Sequence, residues 1–392
     1  MHGEHAEIIA KPKVRLKFID MARSFAILLM LEGHFIEHTF SNFKPMIKLI
    51  KEKGTSGYLF FDWWYFMKGF TAPLFFVVTG VVFVYLLARN KQAGFAKNPR
   101  VQKGFKRALE LLFWGYMLQL NLRYITNTFN HEHPWIYAFH VLQSIGVGII
   151  FLLLIFGLYK LINKGPLYLY YFLAGTIIFC FYPSTKQVSD GIYFPVNAPQ
   201  VIQNIVHGPR SVFAIIPWIA FTLYGGMVGA LIIRFQDHVK KYWFSLTFIG
   251  VGVLLNTFGR SIGLFLDDGL ELINIDLNLV QNAWLYGRMG QVFIALGVLM
   301  LVDRWINFKG ELFLKIGQNT LPIYIIHVVI LYGGIFGFGL NQFMKHSLSG
   351  VEAILGAALF IGLFVVFINY FEFFDGIKKR VLNLFKLKKY RN

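Results

Sequence analysis

Two things are scarce in this sequence: charged side chains and cysteine. Charged residues make up 15% of the 392 residues, whereas hydrophobic residues make up 56%. This imbalance excludes a single soluble core beneath a charged surface and predicts a membrane protein. The one cysteine, Cys180, lies in an apolar run. A lone cysteine excludes an intramolecular disulfide and argues against a cysteine metal cluster, so we expect a buried, inert thiol.

Acidic residues are also few. The chain holds 20 Asp and Glu against 38 Lys and Arg, a formal net charge of +18. In a soluble protein this excess would suggest a nucleic-acid partner. Here the basic residues punctuate hydrophobic segments and no nucleic-acid motif accompanies them. Orientation in a bilayer therefore explains the charge, and we expect no nucleic-acid partner.

Long hydrophobic runs are abundant. A helix needs roughly 20 apolar residues to cross the hydrocarbon layer, and about ten such windows can be drawn. No internal repeat or low-complexity linker separates them. No signal-peptide core precedes the first window, which we expect to be retained as an uncleaved anchor. The windows cover approximately 20–40, 60–88, 108–125, 137–158, 166–184, 212–234, 243–264, 281–302, 314–337 and 350–372.

This pattern predicts an all-α polytopic membrane protein with about ten transmembrane helices. We expect a cytoplasmic N-terminal segment (1–19), one transmembrane domain (20–372) and a basic cytoplasmic tail (373–392). Loops rich in Lys and Arg mark the cytoplasmic side. An even number of spans with both termini cytoplasmic is consistent with this rule. Membrane lipids are expected partners, and the sequence leaves homo-oligomer formation open.

Four ionisable residues share one face of the first span. Asp20, Arg23, His34 and His38 are separated by three, eleven and four residues, which places them in one stripe of a helix. Charges within spans usually face protein or a water-filled cavity. Arg23 and His34 would lie roughly 16 Å apart along the axis, a distance that suits a long phosphate-bearing ligand. The alternative is an interfacial ion pair below a histidine that bonds a neighbouring helix.

The same span contains the sequence HFIEH, which matches the H-x-x-E-H pattern of inverted zinc proteases. His34 and His38 could ligate a metal with Glu37 as base, but a third ligand is required. The acidic pair at 267–268 and the histidines within 131–134 are candidates. Nothing in the sequence fixes either near His34, and we expect no metal.

The first span, RLKFIDMARSFAILLMLEGHF, resembles the opening helix of a superfamily of membrane acyltransferases. Acyltransferase type three proteins carry an Arg and a His eleven residues apart on this helix, the spacing of Arg23 and His34. Relatives of heparan-α-glucosaminide N-acetyltransferase begin it with Asp and then Arg three residues later, as Asp20 and Arg23 do. In that group the catalytic His follows the helix, where this chain has Pro45, and His38 is the nearest imidazole.

Three further segments resemble these families in the same order. APLFFVVTGVVFVYLLAR (72–89) is similar to their second-helix segment, and HVLQSIGVG (140–148) is similar to a V-L-Q helix start. GQNTLPIYIIHVVIL (317–331) resembles a late helix with Asn, Tyr and His in register. The basic motif after the second helix is matched loosely, with Glu110 where another Arg is usual.

The resemblance implies a helical bundle around a tunnel that acetyl-CoA reaches from the cytosol. It also implies acyl transfer to a hydroxyl or amine of a carbohydrate or glycolipid acceptor on the far side of a bacterial inner membrane. Such transfer needs a base and donors for the oxyanion. An imidazole, with an ordinary pKa of about 6.5, suits the first task. We assign His34 as base, oriented by Glu32, Glu37 or Asp20, and leave His38 open as the alternative.

The remaining site assignments combine the resemblance with the positions of charged and polar residues in the predicted spans and loops. Direct transfer and an acyl-histidine intermediate both stay open. Cations at the cytoplasmic face would neutralise the phosphates of CoA, and polar residues within the spans would bind the acyl group or the acceptor. The cations are Arg23, Arg89, Lys103, Lys106 and Arg107. The polar residues are Gln143, Arg288, Asn319, Tyr324 and His327, with Asp62, Lys68 and Gln291 as additional buried candidates.

Two other functional classes are compatible with charges inside spans. A secondary transporter also uses such residues, although neither a repeated half nor paired broken helices can be found. An intramembrane metalloprotease would use the histidine pair as ligands.

Overall fold

A computed structural model describes residues 16–89, 94–122, 138–186, 195, 197–208, 211–305 and 310–389. The sequence features at 1–15, 131–134 and 390–392 lie outside the described residues. Within the described ranges the chain is helical apart from short connections. The helices are α1 (Lys17–Thr39), α2 (Phe43–Lys53), α3 (Leu59–Ala88), α4 (Pro99–Gln119), α5 (Val141–Ile162), α6 (Leu167–Lys186), α7 (Gln200–His207), α8 (Ile215–Arg234), α9 (Tyr242–Glu271), α10 (Ala283–Trp305), α11 (Glu311–Gln318), α12 (Thr320–Tyr332), α13 (Asn341–Met344) and α14 (Gly350–Lys389).

The all-helical prediction is confirmed for the described residues, while the count of about ten spans and the side on which the termini lie stay predictions. In the described part of the chain, 7 helices are long and apolar enough to cross a membrane, and α11 with α12 would make 8 if that bent pair is one span. Helices α1 and α4 occupy two further predicted windows, but each carries several ionisable residues. These two helices hold most of the candidate site.

Helix α4 begins nine residues before the predicted window at 108–125. Pro99 occupies its first turn, and the side chain of Asn98 accepts a hydrogen bond from the backbone N–H of Arg100 at 2.9 Å. Both are standard start signals. Because the window followed hydrophobicity alone, it missed a helical first half that carries several basic residues.

The predicted span at 314–337 is divided by a sharp bend. Helices α11 and α12 meet at 75°. Asn319 between them has non-helical backbone angles, and its side-chain Nδ2 donates to the carbonyl of Lys315 at 3.0 Å. Pro322 in the first turn of α12 has no N–H to give to a continued helix. Asn319 and His327 were predicted to lie on one continuous span; Asn319 instead lies at the bend and His327 within α12.

Helix α1 lies inside the bundle. It packs against α3, α10, α11, α12 and α14, and Ile27 and Leu31 on it have no exposed surface. A helix enclosed by other helices cannot turn its polar residues to lipid or bulk water. The polar stripe on α1 therefore faces the interior of the protein.

Helices α3 and α8 pack with their backbones in contact. A methyl group added at Gly80 would overlap the carbonyl of Thr222, and one added at Gly225 would overlap the carbonyl of Val77. Gly229, one turn after Gly225, meets the carbonyl of Val81 in the same way. Small residues four apart allow this close approach between membrane helices.

Candidate active site

Two histidines from opposite ends of the sequence form a hydrogen-bonded pair. His34 on α1 and His327 on α12 are joined by a contact of 3.0 Å between Nδ1 of His34 and Nε2 of His327. The rings are nearly parallel, with centroids 5.2 Å apart, and His327 has no exposed surface. Their separation of 293 residues explains why the sequence could not pair them.

The surroundings of His327 indicate which nitrogen carries its proton. Among the described residues, its buried Nδ1 has no hydrogen-bond partner, and the carbonyl oxygens of Ile323 and Tyr324 are backbone acceptors near the ring. These oxygens favour a proton on Nδ1, which leaves Nε2 as an acceptor. His34 would then donate from Nδ1 and keep an unprotonated Nε2. The tautomers are assigned from these contacts.

Two tyrosines pack around the histidine pair. The ring of Tyr324 stands edge-on to His327 with centroids 4.9 Å apart. Tyr332 stands edge-on to both His34 and His38, at 5.8 Å and 4.6 Å. These contacts fix the positions of the imidazole rings between α1 and α12.

A cavity of about 430 Å³, here called the histidine cavity, lies beside this pair. His34 and Tyr324 line it, whereas His38 is not among its described lining residues. Glu37 and Lys68 also line the cavity and form an ion pair with 2.9 Å between Oε2 and Nζ. Glu37 therefore contacts a lysine, and Nδ1 of His34 contacts another histidine.

A second cavity of about 310 Å³, here called the cationic cavity, lies between α1, α3, α4, α5 and α12. Its cations come from the start of α1 and from one face of α4, where the spacing of three and four residues aligns them. They are Arg23, Arg100, Lys103 and Arg107.

The cations of this cavity are only partly neutralised. Nη2 of Arg23 donates to Oγ1 of Thr320 at 3.2 Å, and Nη1 lies 3.9 Å from Asp20. Arg107 pairs with Glu110 at 2.8 Å. Thr320 is the first residue of α12, so the positive end of that helix dipole also faces the cavity. The arrangement is suited to a ligand with several negative charges.

The two cavities meet at two aromatic residues. Phe75 and Tyr324 line both of them. Arg23 and His34 lie on the same helix, roughly 16 Å apart along its axis. Phe75 and Tyr324 therefore form the boundary between the cations of one cavity and His34 in the other.

Other predicted site residues lie away from both cavities. Gln143 is buried between α4 and α5, where its side chain donates to Gln119. Lys106 is exposed, and the guanidinium of Arg89 lies 5.6 Å from the ring of Tyr85. Asp62 accepts from Thr55 and Ser56 at the start of α3. None of these four residues is among the described lining of either cavity.

The alternative hypothesis of a metal site at His34 and His38 finds no third ligand among the described residues. Within these ranges no three His, Cys, Asp or Glu side chains form a group that could hold an ion. Both carboxylate oxygens of Asp267 accept from the backbone N–H groups of Leu279 and Val280. Cys180, predicted to be buried, is only half-buried.

Arg100 is the cavity residue that the sequence analysis missed. It lies three residues before Lys103 and seven before Arg107, so all three share a face of α4. This periodicity was readable, but only with α4 extended back to its proline start. The predicted window instead left Arg100 in a loop.

Comparison with known families supplies the decisive observation. The model of the heparan-alpha-glucosaminide N-acetyltransferase catalytic domain matches residues 15–261, more than half of the chain. The chain belongs to this family. The matched region contains α1, α3 and α4, which carry His34 and all four cations of the cationic cavity. It ends before α10 and α12, which carry Arg288 and His327.

Membership in this family sets the class of protein: an integral membrane protein of the acetyltransferase type. Three of the four segments that suggested the resemblance lie within the matched region, and the fourth, at 317–331, follows it. Comparison with curated individual proteins gave no significant match.

Proposed function

We propose that this protein transfers an acetyl group from cytosolic acetyl-CoA to a hydroxyl or amine of a carbohydrate or glycolipid acceptor on the opposite side of the membrane. The observation that carries the proposal is the contact between the two cavities at Phe75 and Tyr324. It gives a polyanionic donor and a histidine base separate compartments with one shared boundary. The family match favours this enzyme over a transporter or a metalloprotease.

The cationic cavity fits the phosphate-bearing part of the donor. Four cations and the N-terminus of α12 converge on a space large enough for part of a nucleotide. Guanidinium groups bind phosphate in a fixed, often bidentate geometry. Arg23 lies near the start of α1, Arg89 at the end of α3 and Arg100 at the start of α4. Under the positive-inside rule, these three helix ends would lie at the cytoplasmic face. A bacterial inner membrane with both termini cytoplasmic is the topology we propose.

The donor supplies a thioester, whose carbon must reach the histidine cavity. The distance of roughly 16 Å between Arg23 and His34 along α1 matches the need for an extended arm between phosphates and thioester. Phe75 and Tyr324 would contact this arm where the cavities meet. Tyr324 is the hydroxyl that we assign to the oxyanion of the acyl carbon.

His34 is the base that we assign, through its Nε2. It would take the proton of the acceptor hydroxyl or amine while the acceptor atom bonds the acyl carbon. The C–S bond then breaks, and the proton passes to the thiolate of CoA. His327 accepts from Nδ1 of His34 and so positions the ring. In an acyl-histidine route the same Nε2 would be the nucleophile.

We predict that CoA binding depends on the face of α4 that lines the cationic cavity. Lys103→Ala should raise the Kd for CoA by about tenfold, because a charge-assisted contact to phosphate is lost. Titration calorimetry of purified protein in phosphatidylcholine nanodiscs measures this. Lys106→Ala is the matched control: the same residue type on the same helix and equally exposed, but not among the described lining residues of the cationic cavity. Equal Kd values for the two variants would contradict the donor site.

His327 is expected to act as a positioning residue. His327→Leu removes the acceptor for Nδ1 of His34 and should lower kcat at least about tenfold, because the base loses its tautomer and orientation. Acetyl-CoA affinity should stay unchanged. His327→Gln keeps an acceptor oxygen and should restore part of the activity. If glutamine and leucine gave the same kcat, the positioning role would be wrong.

A further inference from the structure

Arg288 is a cation in the wall of the histidine cavity that has no acidic partner among the described residues. Its Nη1 donates to Oε1 of Gln291 at 2.9 Å and makes a long contact of 3.5 Å with the carbonyl of Phe66. None of the ion pairs between described residues includes it. Lys68, the other cation of this cavity, is neutralised by Glu37. The described part of the cavity therefore carries the unbalanced charge of Arg288.

The packing around Arg288 leaves room for its guanidinium. Gly69 on α3 lies opposite, and a methyl group added there would overlap the guanidinium atoms. A cation at this depth is costly unless it contacts a counter-charge or water. A guanidinium held against a glycine, whose partners in the described part of the chain are neutral, is suited to bind an anion from outside the protein.

A chain of polar side chains leads from Arg288 towards lipid. Nε2 of Gln291 donates to Oδ1 of Asn256 at 3.2 Å. Asn256 lies in the middle of α9, which is 30 residues long, and its side chain is exposed on the outside of the bundle. Helix α9 is a candidate membrane span with few buried residues, so its exposed surface would contact lipid. Three hydrogen-bonded polar residues would then connect the histidine cavity sideways to this surface.

We propose that the acceptor carries an anionic group, phosphate or carboxylate, and that Arg288 binds this group. The inference rests on the proposed acyl transfer and adds the chemical class of the acceptor. Arg288 lies outside the region matched by the family model. The sideways connection suits an acceptor anchored in the membrane by a lipid-linked phosphate. A water-soluble sugar acid or sugar phosphate would present the same chemistry from the aqueous side.

The aqueous end of the site is also basic. Helix α2 directly follows α1 and carries Lys44, Lys48, Lys51 and Lys53, all exposed. Its first residue, Phe43, lies 5.4 Å from the ammonium of Lys68. Helix α2 is at the end of α1 opposite Arg23, where basic residues do not serve orientation. Lysines there would attract an anionic acceptor.

Binding without acetyl-CoA tests the inference separately from transfer. The probes are glucosamine 6-phosphate, glucosamine, decyl phosphoglucosamine and neutral decyl glucosaminide, each titrated into the full chain in phosphatidylcholine nanodiscs. Each anionic probe should bind about tenfold tighter than its neutral counterpart. Arg288→Gln should abolish this preference, and Arg288→Lys should keep part of it. Tighter binding of the decyl than of the soluble phosphate would identify a lipid-linked source, and the reverse a soluble one.

The control is Arg304→Gln. Arg304 is at the other end of α10, where its guanidinium lies 4.1 Å from the ring of Tyr242, and the preference should survive its replacement. Equal binding of anionic and neutral probes to the unmodified protein would overturn the inference. So would an undiminished preference in a folded Arg288→Gln variant. If either result were found and the protein still transferred acetyl to a neutral sugar, the proposed function would stand and only the anionic acceptor would be wrong. If the unmodified protein did not bind CoA, the proposed function would be wrong, whatever the preference for anionic probes.

Discussion

His34→Asn is expected to lower kcat by about 10²–10⁴-fold, the range for loss of a general base. Asparagine can still donate from its side-chain amide to Nε2 of His327, so the contact between α1 and α12 is retained while the basic nitrogen is lost. The Kd for acetyl-CoA should be unchanged, because the cationic cavity does not include this residue. Single-turnover acetyl transfer and donor titration measure the two quantities.

His38→Asn is the control that separates the two histidines. His38 packs on Tyr332 and is not among the described lining residues of the histidine cavity. Its replacement should change kcat by less than about threefold, since a residue that lines neither described cavity would not contact the transition state. If His38→Asn were inactive and His34→Asn active, the assignment would have to be exchanged. Equal loss in both would indicate that neither acts alone.

Gly225→Ala is expected to prevent folding of the transmembrane bundle. The added methyl group would overlap the carbonyl of Val77, and backbone atoms on α3 and α8 cannot move aside as a flexible side chain can. Overpacking typically costs about 1–3 kcal/mol when neighbours can shift; here the two helices would have to separate. Thermal unfolding in detergent, followed by size-exclusion fluorescence, should show a large loss of monodisperse protein.

Gly362→Ala is the matched control. It makes the same change within α14, where an added methyl group meets no atom within 4 Å. Its Tm should remain at or slightly above that of the unmodified protein, because alanine favours helix over glycine. A Gly225→Ala protein as stable as this control would show that α3 and α8 do not need their backbone contact.

Much of the fold could be predicted because membrane helices are encoded locally. Each predicted window overlaps a helix or the bent pair α11 and α12 within the described residues. The errors came from positions where hydrophobicity is not the controlling property. At Pro99 a helix begins within a polar segment. At Asn319 a side-chain amide caps the end of a helix within an apolar segment.

For the candidate site, the sequence predicted the residues that share one helix but not the contacts between helices. The stripe of Asp20, Arg23 and His34 was readable because residues on one helix have a fixed angular relation. The partner of His34 was not readable: Glu32, Glu37 and Asp20 were candidates as local carboxylates, but the structure places His327 there. Gln143 was assigned to substrate from a resemblance; the structure buries it away from both cavities, and its Nε2 donates to Gln119.

The sequence by itself thus determined the class of fold, the family and the polar face of α1, since these depend on periodicity and on residues close together in the chain. Tertiary structure decided which polar residues share a space: His34 with His327, Arg23 with the face of α4, and Arg288 with Gly69. Helix packing brings together residues hundreds of positions apart, and no local pattern specifies which faces meet. The division into a cationic and a histidine cavity follows from that packing.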